Sequence, residues 1–326
     1  MDRLEQYIKD GVHALLPLVE DKRDFSFTKV FGTTTIADIP MGDFYVSQPL
    51  EIKNQDINYP SDFCAAYAAT EVSEDQSLAT CVPEWSFAKS KQLAVQKLLF
   101  PTQAQIDATI AAFGCNLRDM CLVGTTYGFL SREYDPFACN TESRPERDFL
   151  ANWHNWNADL DAFGYENAMN SFFAVDGPLD LFDNMRMVMW MNKNSHRSIV
   201  TGALWRASWS KMPGGIVTAD QYDPSEPGSG HAFKIFGWKM TPKGLCLVAQ
   251  LSDGPAFGDN GLFYFDRITV NREFAPFGAY TFSDVPKTQA QIHNEMGFPV
   301  NAPIVTKAWA IIIYALNQFL TANHLK

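Results

Sequence analysis

The apolar periodicity of this chain changes partway along, and that change constrains the fold more than any single motif. In the first half, apolar residues recur at helical spacing: Ala65, Ala68, Ala69 and Val72, then Trp85, Ala88 and Leu93 behind a helix-opening Pro83. Further helices are expected after Thr102 and over residues 116–126. From Met187 the texture becomes short apolar runs (residues 198–205, 231–238, 245–251 and 261–265) punctuated by Gly and Pro, the signature of strands. Helices first and strands second imply an α+β chain with two lobes. Residues 25–50 read as an extended lead-in, and residues 135 to about 177, weakly periodic, as a long connection or inserted subregion.

Each half carries one residue type that matters for chemistry. Ser61 and Asp62 are helix-capping types, which places Cys64 in the first turn of a helix running to about Gln76. Aligned N–H groups at a helix start favour a thiolate, and a nearby imidazolium adds to the effect. Alone, an Ala-rich helix with one cysteine reads as core. The strand run Gly230-His231-Ala232 changes that reading, because a helical lobe with a cysteine and a β lobe with a histidine can bring nucleophile and base together across a cleft. Gln55, upstream of Cys64, is placed to supply an amide donor.

Composition excludes several function classes. A formal net charge of -11 without a cluster of Lys and Arg argues against nucleic-acid binding. The six cysteines (Cys64, Cys81, Cys115, Cys121, Cys139 and Cys246) lack the paired short spacings of a metal site, so no metal or cofactor is implied. A disulfide from Cys115 or Cys121 to Cys139 is conceivable on count, yet charged residues interrupt positions 1–20 and exclude a signal peptide, which favours reduced thiols. Lys89, Lys91 and Lys97 read as a solvated helix face. Leu4, Ile8, Leu15, Leu16 and Val19 form a helical stripe, bent at Gly11 and stopped near Pro17. At the other end, Val305, Trp309, Ile312, Leu316 and Phe319 mark an apolar helix too short to span a bilayer, suited to packing on its own domain or to self-association.

In three ordered segments the chain resembles the papain-like cysteine peptidases. Asn54-Gln55 through Cys64-Ala65-Ala66-Tyr67-Ala68 is similar to the family's Asn-Gln loop and nucleophile helix. Gly230-His231-Ala232-Phe233 to Gly237-Trp238 is similar to its histidine strand, and residues 252–264 to the Asn-Ser-Trp-Gly region and the glycine turn beyond it. Tyr127-Gly128 to Pro136 resembles the close of the helical lobe. The resemblance implies a two-lobed α+β fold, a helical lobe (about 45–180) and a β-barrel-like lobe (about 181–300) within residues 25–300, flanked by helical extensions at 1–24 and 301–326. It implies Cys64 as nucleophile, His231 as base and acid, Gln55 as oxyanion donor, and a peptide or protein as substrate. No inhibitory propeptide pattern is seen before Phe44. Residues 69–76 and 271–280 also resemble papain-like proteins of tailed bacteriophages, which would put the chain in a host cytoplasm or a virion.

The pattern also departs from the family. Counting back without gaps from Gly258-Asp259-Asn260-Gly261, the histidine-orienting Asn falls on Leu251 and the shielding Trp on Asp253, leaving Gln250 or Asp253 as substitutes if the loop is rearranged. The loop from Gln55 to Cys64 is long and contains Asn58-Tyr59-Pro60, and Ala65 replaces the usual aromatic. Two functions therefore stand: a cysteine peptidase with an atypical third triad position, or a degenerate papain-like component of a multicopy assembly such as a phage virion, built through the terminal helices.

Overall fold

The computed structural model describes residues 15–18, 21, 24–56, 61–112, 114–139 and 144–283. The C-terminal apolar helix, most of the N-terminal stripe and Asn58-Tyr59-Pro60 lie outside the described residues. The helices are α1 (Phe27–Phe31), α2 (Cys64–Ser77), α3 (Pro83–Gln96), α4 (Gln103–Ala111), α5 (Leu117–Thr126), α6 (Arg144–Ala151), α7 (Leu160–Glu166) and α8 (Leu181–Met191). The strands are β1 (Phe44–Tyr45), β2 (Ser171–Ala174), β3 (Ile199–Arg206), β4 (Ile216–Val217), β5 (Gly228–Thr241), β6 (Gly244–Gln250), β7 (Leu262–Asp266) and β8 (Ala279–Ser283). They join in the order β2-β8-β3-β5-β6-β7-β4, with β1 on β5. The α+β expectation holds, helices preceding most of the sheet.

Strand β5 divides two apolar clusters. Phe233 and Ile235 join a β-lobe core with Trp205, Phe263 and Phe265, whereas Ala232 joins the cluster built on α2. Successive strand residues point to opposite faces, so one strand serves both. Ala65, Ala68, Ala69 and Val72, all buried, let α2 lie close against β5. Helix α2 starts at Cys64 with Phe63 as its N-cap residue. The expected capping groups are used elsewhere: the Asp62 carboxylate accepts from Gly114 N at 2.7 Å, and Ser61 Oγ from Phe63 N at 3.4 Å.

One other expectation is corrected. Lys89 and Lys91 are buried, and only Lys97 has an exposed side chain. Lys89 pairs with Asp161 and lies 5.4 Å and 5.1 Å from the Trp85 and Tyr127 ring centroids, while Lys91 donates to the carbonyls of Ala112 and Gly114 at 2.6 Å each. The segment expected as a long connection or an inserted subregion carries α6 and α7, and α7 supplies that Asp161 partner. The cysteines, Cys115, Cys121 and Cys139 among them, are free thiols. Among the described residues no helix is long and apolar enough to cross a membrane.

A buried ionic seam fastens α2 to β5. Lys234 Nζ lies 2.9 Å from Asp75 Oδ1, and Lys53 Nζ 2.5 Å from Glu74 Oε1, all four side chains almost wholly enclosed. Asp75 also accepts from Ser47 and Ser198. Glu71, on the same helix, makes no side-chain hydrogen bond among the described residues. Burial pushes its carboxyl up, Lys53 and Lys234 pull it back, and Glu74 and Asp75 add to the rise, leaving it at about 8. A carboxyl raised in the folded state favours folding below its unfolded value and loses that contribution as pH rises through the folded value. Glu71→Gln is therefore expected to leave Tm nearly unchanged at pH 5 and to raise it by roughly 4–8 °C at pH 9, measured by thermal unfolding. Equal shifts at both pH values would show that Glu71 does not titrate in the seam.

Candidate active site

Cys64 opens α2 and His231 sits near the start of β5, paired in register with Ala203 of β3. The α2–β5 packing brings the Cys64 thiol near enough to the imidazole to act on its charge. The ring Nε2 lies 3.4 Å from Asp253 Oδ2. Leu251 is a fully buried member of the β-lobe core, and the Gln250 amide donates to the Glu51 carbonyl at 2.9 Å, which takes it away from the ring. The gapless count from the glycine turn thus lands two residues short of the group that faces His231. Asp253 is held there by main-chain pairing: it bridges with Asn54, and Gly254 N donates to the Lys53 carbonyl at 2.9 Å.

The environment favours the imidazolium. Complete burial alone would lower the His231 pKa, but the charge of Asp253, its hydrogen bond, and the hydrogen bond and charge of Cys64 outweigh it and raise the value to about 10. Trp205 of β3 packs edge-on to the ring with centroids 5.4 Å apart, an aromatic contact that the sequence pattern did not mark.

Gln55 is completely buried. Its Oε1 accepts from Ser252 Oγ at 2.8 Å, and its Nε2 reaches the Ser61 carbonyl only at 3.5 Å, a weak contact. Its main-chain N–H donates to Ser252 O at 2.6 Å and its carbonyl accepts from Arg147 Nη2 at 2.9 Å. The next residue, Asp56, accepts from Ser61 N at 2.7 Å and so closes the loop that precedes the nucleophile. Burial and the Asp253 charge raise Asp56 to about 7, against the pull of the Ser61 N–H, Arg147 and His231. Among the described residues there is no group of three His, Cys, Asp or Glu that would hold a metal ion.

The cleft between the lobes is occupied by the chain itself. Leu15 N donates to Gly230 O at 3.0 Å, Leu16 N to Cys115 O at 3.4 Å, and Leu18 N to Pro276 O at 2.9 Å. The described part of the N-terminal stripe is therefore extended, because Leu15 and Leu16 spend their N–H groups on the two lobes and not on a helix. Leu15 packs in the same cluster as Cys64, Cys115, Ala232 and Phe277. A Cβ on Gly202 would meet the Leu15 side chain at 2.1 Å, and one on Gly230 the Leu15 carbonyl at 2.2 Å, so both glycines are required for this approach. With the segment in place Cys64 is 1% exposed and His231 0%.

No protein-family model matches the chain, and no curated protein matches it in sequence. Solved structures do resemble it. Xylellain, a cysteine protease from Xylella fastidiosa, superposes with a TM-score of 0.62 at 14% identity, covering 84% of this chain and 96% of that one. Digestive procathepsin L 3 of Tenebrio molitor larval midgut gives 0.56 at 10% identity, over 86% and 78% of the two chains. ProCathepsin B S9 from Trypanosoma congolense gives 0.55 at 11% identity, over 86% and 89%. These neighbours are papain-like cysteine proteases, and the fold of this chain is the papain-like two-lobed fold.

Two outcomes follow from this geometry. Asp253→Asn is expected to bring the His231 titration midpoint down from about 10 toward the ordinary 6.5, read by NMR of the imidazole ring; an unmoved midpoint would show that Asp253 does not hold the proton there. Burying a Leu side chain is worth roughly 1.5–3 kcal/mol, so Leu15→Asp is expected to raise the alkylation rate of Cys64 by on the order of tenfold or more. An unchanged rate would mean that the segment does not limit access.

Proposed function

We propose that the chain is a cysteine peptidase in which Cys64 is the nucleophile, His231 the proton-transfer group and Asp253 the residue that orients and charges the imidazole. The single observation that carries this reading is a fully buried His231 with a carboxylate 3.4 Å from its Nε2 and the Cys64 thiol close enough to act on its charge. That is the arrangement a thiolate–imidazolium pair requires.

In the first half-reaction the Cys64 sulfur attacks the peptide carbonyl carbon, forming a C–S bond while the carbonyl oxygen takes up negative charge. The Gln55 side-chain amide and the Cys64 main-chain N–H are the donors for that oxygen. His231 then gives its proton to the departing amine, the C–N bond breaks, and a thioester remains. Consuming the thiolate also removes the Cys64 charge and hydrogen bond that help keep His231 protonated, so the ring becomes a better base for the water that hydrolyses the thioester. A carboxylate beside the ring holds the imidazolium more strongly than a neutral amide would, which favours attack and penalises deacylation.

The alternative of a degenerate assembly component rested on Leu251 and the terminal helices. A carboxylate now stands at the imidazole, and the C-terminal helix lies outside the described residues, so no described residue favours a virion or oligomeric role. The test is covalent. Iodoacetamide at mildly acid pH is expected to label Cys64 in preference to the other five cysteines, with the selectivity lost in His231→Ala, read by peptide mass mapping. Labelling no faster than that of a simple thiol would sink the peptidase reading.

A further inference from the structure

Arg147 is a buried charge that the catalytic line does not use. It comes from α6, in the stretch with the weakest sequence pattern, and is 5% exposed. Enclosing a guanidinium costs several kcal/mol unless its surroundings are built for it, and here they are. Nη2 donates to the Gln55 carbonyl at 2.9 Å and lies 3.9 Å from Asp56 Oδ1. The guanidinium carbon lies 5.8 Å from the centroid of the Phe63 ring. Asp56 in turn is fixed by Ser61 N.

These contacts fall on both sources of the oxyanion donors. Gln55 carries the side-chain donor, and Phe63 immediately precedes Cys64, whose main-chain N–H is the other. Between them runs the loop whose length set it apart from the family pattern, and Asp56 and Arg147 together pin its entry and its exit. Ser252 holds the Gln55 amide from the β lobe; Arg147 holds its carbonyl from the helical lobe.

We propose that Arg147 is the positioning residue of the oxyanion site, its guanidinium, braced by Asp56 and the Phe63 ring, setting the place of Gln55 relative to the Cys64 N–H. The inference rests on the peptidase reading. It is a positioning role, since Arg147 acts on the main chain of Gln55 and not on a substrate atom.

The test compares two reactions of the same thiol in the full chain. Alkylation by iodoacetamide displaces iodide at a saturated carbon and forms no oxyanion. Acylation by 4-nitrophenyl acetate passes through a tetrahedral oxyanion before nitrophenolate leaves. Opening of the Leu15 segment enters both rates and cancels in their ratio. Both are counted at Cys64 by mass. Displacing an oxyanion donor by about 1 Å costs on the order of 10²-fold, so Arg147→Met is expected to lower the acylation-to-alkylation ratio by roughly 10–100-fold. Arg147→Lys, which keeps the charge but not the fork, is expected to restore part of it, and it carries the same comparison if the Met variant does not fold. A ratio equal to wild type in both variants, or two rates that fall in step, would overturn the positioning role. Wild-type alkylation indifferent to His231→Ala would instead overturn the peptidase reading on which it stands.

Discussion

Cys64 and His231 come from different halves of the chain, and the buried ionic seam between α2 and β5 holds those halves together. Lys234 lies on the same strand as His231, and Asp75 on the helix that Cys64 begins; their contact at 2.9 Å ties the two elements well behind the thiol. Asp75 is fully engaged by Lys234, Ser47 and Ser198, as a buried carboxylate must be. A seam of apolar residues would bury as much surface, but a charged one tolerates fewer alternative registers. In front of it, the alanines of α2 allow the close approach that brings sulfur to imidazole.

The active site is a chain of buried charges in which each sets the next. Asp253 keeps His231 protonated, Asp253 also raises Asp56, and Arg147 opposes that rise while holding the Gln55 carbonyl. Low local dielectric makes each of these interactions stronger than it would be in water, and it makes the loss of any one partner costly to the others. A carboxylate at the orienting position gives this site a more persistent imidazolium than a neutral orienter would. The occupied cleft adds a second control, exercised through glycines at 202 and 230 that leave room for the Leu15 main chain.

Much of this was legible in advance, and the failures share a cause. Cys64, His231 and Gln55 stood out because each sits in a short stretch whose residue types serve local geometry: a helix start, an alternating strand, a turn. The third partner was legible only as a choice between Gln250 and Asp253, because the loop after β6 turns back on Lys53 and Asn54, and that long-range pairing brings Asp253 to the ring. Lys89 and Lys91 looked solvated because helical spacing cannot show that α7 and the carbonyls of Ala112 and Gly114 close over them. Leu15 and Leu16 fitted a helical stripe because a leucine pair is equally suited to an extended strand that fills a cleft.

The amino-acid sequence by itself determined the order of helices and strands, the α+β class and the residues able to form a thiol–imidazole pair, since periodicity and turn chemistry act over a few residues. Only the tertiary structure decided which carboxylate meets the imidazole, which arginine holds the Gln55 carbonyl, and what fills the cleft. Those choices depend on contacts such as Arg147 with Gln55 and Leu15 with Gly230, between residues far apart in the chain, where local pattern carries no information.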